Sequence, residues 1–235
     1  MRHTMKLFEI GMKQISKDGM LLVMIPAPLL VGLFFKVAVP FINAILTSQF
    51  QFSITPWYGL ADGMLICLTP MFVAIISAFL LLDERDAGIS AFYQITPAQG
   101  YPYLLARVGI PMIWAFITTL IAAAVFKISA ISFAEILSSG LISSLTGIAL
   151  AMMVVSIAEN RVEGLAVSKL MGISFIGLIL IWFVPAPYHF SMAFLPSFWI
   201  GKLLMDGTDF FSFVLGLITC LLWIAFFTRR FLKRI

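Results

Sequence analysis

A chain of 235 residues that is 62% hydrophobic and only 11% charged, with a mean hydropathy of +1.08, does not fold as a water-soluble domain. Such domains run at about 45–50% apolar and about 25% charged, because their exterior must be wetted. The net charge of +4 does not require nucleic acid, since the basic residues border apolar runs, where topology and anionic lipid account for them.

In chain order, the first 18 residues are too long and polar for the leading region of a signal peptide. The Val-Ala-Val at 37–39 is a poor cleavage site, so the first apolar run is expected to stay in place as a span. Residues 1–18 predict an amphipathic surface helix. Met5, Phe8, Met12 and Ile15 form one face and Lys6, Glu9, Lys13 and Lys17 another, while Leu7 and Ile10 fall outside the apolar face.

Six apolar runs follow near 20–45, 59–82, 103–126, 133–157, 168–185 and 210–228, each close to the about 20 residues that cross a bilayer. The expected fold is all-α, a polytopic membrane protein forming a single transmembrane domain over residues 1–235. Pro26, Pro28 and Pro40 predict a kink in the first span. In the fourth, Gly140 with Ser144 and Ser143 with Gly147 are spaced for close helix packing. Between the fourth and fifth lies a polar loop, AENRVEG. Residues 185–209 are too apolar for a solvated loop and predict short helices dipping into the outer leaflet, broken at Pro196. There Tyr188, Phe190, Phe194, Phe198 and Trp199 suit the interface.

With the N-terminus inside, twelve of the fifteen Lys and Arg fall on the cytoplasmic side; only Lys36, Lys127 and Lys202 lie towards the outside. That bias predicts a multi-pass protein of a bacterial inner or plasma membrane with both termini cytoplasmic. Cys67 and Cys220 read as buried thiols, with no disulfide framework or metal-ligand spacing. His3 and His189 lie outside the spans, which argues against a membrane metalloprotease or a Ser-His hydrolase. No phosphate-binding loop of the form G-x-x-x-x-G-K-[ST] occurs, so an ATP-driven function would need another polypeptide to hydrolyse the nucleotide.

The segment after the second span, LLLDERDAGISAF, carries the most information. Asp83, Glu84, Arg85 and Asp86 stand together at the membrane edge, and Gly88 permits a sharp change of direction. Ile89, Phe92 and Tyr93 form an apolar stripe, and Thr96-Pro97 ends the helix. A short amphipathic helix of this kind can dock in a groove on a soluble partner and pass a rigid-body push to its flanking spans.

On these residues the chain resembles the type-2 permeases of ATP-binding cassette (ABC) exporters. The matching positions are Glu84, Arg85, Gly88 and Thr96-Pro97, with Tyr101 and Arg107 leading into the next span; Ser90 departs from the Thr-Leu that often follows the glycine. The resemblance implies a transport subunit that is not itself an enzyme and exports a hydrophobic or amphipathic compound: a drug, peptide or lipid. It implies that Asp83 to Arg85, Gly88, Ile89, Phe92, Tyr93, Thr96 and Pro97 form an ATPase-coupling element. It also implies two ABC ATPase (nucleotide-binding) subunits as partners, which bind the ATP and magnesium, this chain holding no cofactor, and a second permease copy or paralogue completing a dimer.

Lys36, Asp62 and Glu135 are ionisable residues in or beside spans near their outer ends, which makes them candidates for an outer gate as well as for side chains reaching to water. The competing functions are an ion-coupled secondary transporter, disfavoured by the nearly uncharged span centres, and a non-transporting membrane immunity or assembly factor.

Overall fold

The computed structural model describes residues 2–88 and 101–233, which are almost entirely helical and include no strand. Among the described residues, six stretches are long and apolar enough to cross a membrane: Gly19–Phe50, Thr55–Asp86, Pro102–Phe126, Phe133–Ile157, Arg161–Phe183 and Phe210–Leu232. The chain is therefore an all-α polytopic membrane protein, in which the helices satisfy the backbone where lipid cannot. The expected stripe Ile89, Phe92 and Tyr93 and the break Thr96-Pro97 lie outside the described residues.

The N-terminal helix α1 (Arg2–Ile15) buries a face different from the expected one. Leu7 is 6% exposed, whereas Met5 is 52% and Met12 43% exposed. Gly11 decides the rotation: a Cβ there would run into the Arg107 guanidinium, so α1 meets the bundle along Leu7, Gly11 and Ile15.

The first span is two helices, α2 (Gly19–Met24) and α3 (Ala27–Phe50). Asp18 caps α2 by accepting from the Met20 and Leu21 amides at 2.9 and 3.2 Å. The chain breaks at Ile25 and Pro26, because proline has no N–H for the preceding turn. Pro40 lies within continuous helix.

The centre of the bundle is α4 (Tyr58–Asp86) packed on α6 (Phe133–Ile157), both largely buried, while the first and last spans are mostly exposed. Small residues set the approach of α6 to its neighbours, as the spacing predicts. Ser143 Oγ donates to the Ile66 carbonyl at 2.8 Å, and a Cβ on Gly147 would lie 2.8 Å from Met112 Sδ and 3.1 Å from Pro70 Cβ. Met112 comes from α5 (Ile110–Phe126), the third span, which starts with a turn at Tyr101–Leu104 and a π segment at Leu105–Gly109. Cys67 and Cys220 are buried free thiols.

Two boundaries differ from expectation. The second span runs through Asp86, because each charge of its last turn finds a partner. Most of the AENRVEG segment is not a loop: Asn160 Oδ1 accepts from the Glu163 amide at 2.9 Å and starts α7 (Arg161–Ser168), so the fifth span begins there. It continues through a 3-10 segment (Lys169–Phe175) into α8 (Ile176–Phe183). Residues 185–209 form short helices as expected, a 3-10 segment at Tyr188–Met192 and α9 (Pro196–Met205), with Pro196 in the first turn of the second, where its missing N–H is no loss. Phe198 and Trp199 of α9 are buried against the bundle, while Tyr188, Phe190 and Phe194 stay exposed as the interface pattern predicts.

The last span, α10 (Phe210–Leu232), packs on α6 and returns to the end of the bundle that carries α1. That end is called the terminal end below, and the opposite one the far end.

Replacing Gly147 by Leu overpacks the α4–α5–α6 junction and lowers stability by about 1–3 kcal/mol. Gly172→Ala, where no neighbouring atom lies within 4 Å of the added Cβ, costs no stability by packing. Thermal unfolding of both variants in detergent micelles checks the contrast.

Candidate functional site

Successive helix residues point about 100° apart, so four consecutive charges on one turn face four directions. The last turn of α4 uses all four. Asp83 accepts from Arg161 Nη1, 2.9 Å to Oδ2. Asp86 Oδ2 accepts the Arg161 amide at 3.0 Å, an anion at the start of α7. Arg85 donates to the Ala158 and Val155 carbonyls at 2.9 and 3.1 Å, a cation at the C-terminus of α6. Its guanidinium also lies 5.5 Å from the centre of the Phe231 ring on α10.

Glu84 points inward. It is 1% exposed and pairs with Arg107, 0% exposed, which donates to both carboxylate oxygens. Tyr103 Oη donates to Glu84 Oε2 at 2.6 Å, and Arg107 Nη1 donates to the Leu7 carbonyl of α1 at 2.7 Å. Tyr103 and Arg107 share one face at i, i+4 spacing. The π segment carries Arg107: the Ile110 amide bonds the Leu105 carbonyl, and Pro111 has no N–H to return to the carbonyl of Arg107. Glu84 and Arg85 are thus neighbours in the motif that diverge in space.

Arg161 ties a second cluster together. It pairs with Asp18 as well as Asp83, and its guanidinium lies 5.8 Å from the Phe79 ring centre. The hydrogen bond from Arg161, ahead of the backbone bonds from Leu21 and Met20, holds the Asp18 carboxyl below its ordinary value of 3.8. One helical turn therefore grips the base of the third span, α6, α7 and α10, and reaches α1 through Arg107 and the cap of α2 through Arg161. Gly88, at φ +69°, follows in the left-handed region that favours glycine.

Sequence reasoning placed Glu84, Arg85 and Gly88 but not their partners. The sequence marks Arg107 only as a residue leading into the third span and does not set Tyr103, Arg161 or Asp18 apart. The available signals were the i, i+4 spacing of Tyr103 and Arg107 and the position of Arg161 next to the cap residue Asn160.

The candidate outer-gate residues gather at the far end around the connection between α5 and α6, and each holds backbone. Lys36 Nζ donates to the Val125 carbonyl at 2.6 Å. Asp62, buried, accepts from the Ile128 and Ser129 amides at 3.0 and 2.9 Å. Glu135 completes a capping box with Ser132, accepting from the Ser132 amide at 2.9 Å.

Residues 11–229 match the family model described as Fluoroquinolones export permease protein Rv2686c-like. The chain belongs to this family. Two curated relatives, both from Mycobacterium tuberculosis, are the Fluoroquinolones export permease proteins MT2760 (strain CDC 1551 / Oshkosh) and Rv2686c (strain ATCC 25618 / H37Rv). Each is 26% identical over 199 residues, covering 82% of this chain and 78% of the relative. No solved structure matches the chain significantly. The family match spans Asp18, Asp83 to Asp86, Tyr103, Arg107 and Arg161, while Leu7, which accepts from Arg107, precedes it.

Glu84→Ala strands a buried guanidinium and costs about 3–5 kcal/mol, whereas Glu84→Leu with Arg107→Met loses well under the sum of the single changes. Denaturant or thermal unfolding of the single and paired variants measures both. A carboxylate whose folded value is depressed adds stability that is complete above its unfolded value and disappears as pH falls through the folded one. The unfolding temperature of the wild type should therefore fall more steeply below pH 4 than that of Asp18→Asn, in a scan down from pH 6.

Proposed function

We propose that this chain is the membrane-spanning subunit of an ATP-driven exporter of the type-2 ABC class, and that the segment following Gly88 is where a separate ATPase takes hold of it. One observation carries the proposal: the turn before that segment contacts the third span, α6, α7 and α10 directly and α1 through Arg107, so a displacement of the segment reaches much of the bundle as a rigid push. In this reading Ile89, Phe92 and Tyr93 seat in the ATPase, Thr96-Pro97 turns the chain back, and the Glu84–Arg107 and Arg161 pairs act as positioning contacts rather than docking ones. The terminal end faces the cytoplasm, where the ATPase binds ATP and magnesium.

The mostly exposed first and last spans leave surface for lipid and for a second permease copy or a related chain. The cargo is an amphipathic compound with an aromatic or otherwise apolar body, in the class that the relatives' names give as fluoroquinolones.

Affinity purification in mild detergent, with mass identification of what binds, tests the assignment. A soluble ATPase should accompany the wild type and be lost from Phe92→Ala with Tyr93→Ala, while the variant keeps its unfolding temperature. Export from vesicles that follows a proton or sodium gradient with ATP withheld would overturn it.

A further inference from the structure

A cavity of about 370 Å³ lies beneath α1, between the break in the first span, α4 and the base of α5. Its size falls within the about 300–1,000 Å³ of small-molecule sites. The walls are apolar: Phe8 and Met12 from α1, Val73 and Ile76 from α4, with Ile25 and Trp114 at the rim. Arg107 closes its terminal end but is committed to Glu84 and Leu7.

One polar group on the wall is uncommitted. Ser77, 1% exposed, carries a buried hydroxyl with no hydrogen-bond partner among the described residues. Hydroxyls within helices ordinarily bond the carbonyl four residues back. In this bundle Thr69, Thr119 and Ser144 do so at 2.9, 2.7 and 2.9 Å. Leaving a buried hydroxyl unpaired is costly, and an occupant with an acceptor would recover that cost.

The rim shows where an occupant comes from. Ile25 and Trp114 are exposed apolar side chains on the first and third spans, so the mouth opens sideways between spans into the bilayer. Ile25 lies close to the terminal end of the first span and Trp114 midway along the third, so the mouth runs from the leaflet of the terminal end towards the middle of the bilayer.

We propose that this cavity is a binding site for a molecule with an apolar body and a single hydrogen-bond acceptor, drawn laterally from the leaflet on the side of the termini and held by Ser77. The binding stands without the exporter; only the use of the bound compound as cargo rests on that reading. Two sources share the chemistry: the chain and ester carbonyl of a phospholipid, and an amphipathic compound dissolved among the lipids.

The test uses the full chain in phosphatidylglycerol vesicles doped with a phospholipid carrying a diazirine on its acyl chain, irradiated and mapped by peptide mass spectrometry. Label should concentrate on the stretches around Ile25, Val73 to Ser77 and Trp114 over Leu221 and Leu222, exposed on α10. Ser77→Ala should reduce that excess about three- to tenfold, the worth of one hydrogen bond, with no loss of unfolding temperature. Val73→Trp, which fills the cavity, should abolish it. Excess fluoroquinolone that displaces the label supports the site with the dissolved compound as occupant; label that persists supports it with lipid as occupant. Labelling of the lining no higher than that of α10, or unchanged in both variants, overturns the proposal. ATP-dependent transport measured on the same vesicles separates the two readings, since its absence with labelling intact would count only against the exporter.

Discussion

The buried pair of Glu84 and Arg107 is the constraint on which the terminal end of this bundle depends. Two opposite charges removed from water are tolerable only when each finds several partners. Here the carboxylate takes bonds from Arg107 and the Tyr103 hydroxyl, while the guanidinium gives a further N–H, on Nη1, to the Leu7 carbonyl. That bond ties α1 to the base of the third span. Gly11 then follows as a steric requirement, because only a residue without a side chain lets α1 come so close to Arg107. A surface helix that amphipathicity alone would leave sliding on the bilayer is thereby held at one register on the second and third spans.

The neighbouring charges extend the same logic outward with less burial. Arg161, Asp83 and Asp18 are each partly exposed, and Arg85 relies on the open carbonyls at the end of α6. The cluster therefore grades from a dry, specific contact at its centre to wet, adjustable ones at its edge. This suits a place where force would pass between a soluble partner and the spans: the core keeps geometry while the rim can rearrange. At the far end the ionisable residues work differently, each fastening a loop or helix end to its neighbour.

Much of this was legible in the sequence because lipid makes span length and apolarity nearly sufficient for the helices. The fourth span's limits and its small-residue packing face followed from composition and spacing, and Gly88 announced its turn. The face of α1 was misread because periodicity ranks side chains by hydrophobicity, whereas the position is set by Gly11, a residue whose role is to be absent. The extent of the second span was underestimated for a related reason. Charges at a membrane edge look like a stop, and only their partners, up to 78 residues away in the chain for Asp83 and Arg161, reveal a helix continuing into a folded junction. The Ser77 hydroxyl could not be foreseen at all, since a serine within a span reads as self-satisfied until its geometry is known.

The wide turn at Leu105–Gly109 bears on how the third span can move. Such a turn holds one residue more than a regular helix accommodates, and shifting that surplus along the rod would turn each residue it passes by about 100°. Pro111 blocks travel in one direction, having no amide hydrogen to hand on, and Tyr103 and Arg107, clamped to the same carboxylate, block it in the other. The surplus is trapped between two stops. The third span therefore has to swing as a whole about its base rather than twist along its length, and any motion that reaches it from the second span arrives at the opposite membrane face as tilt.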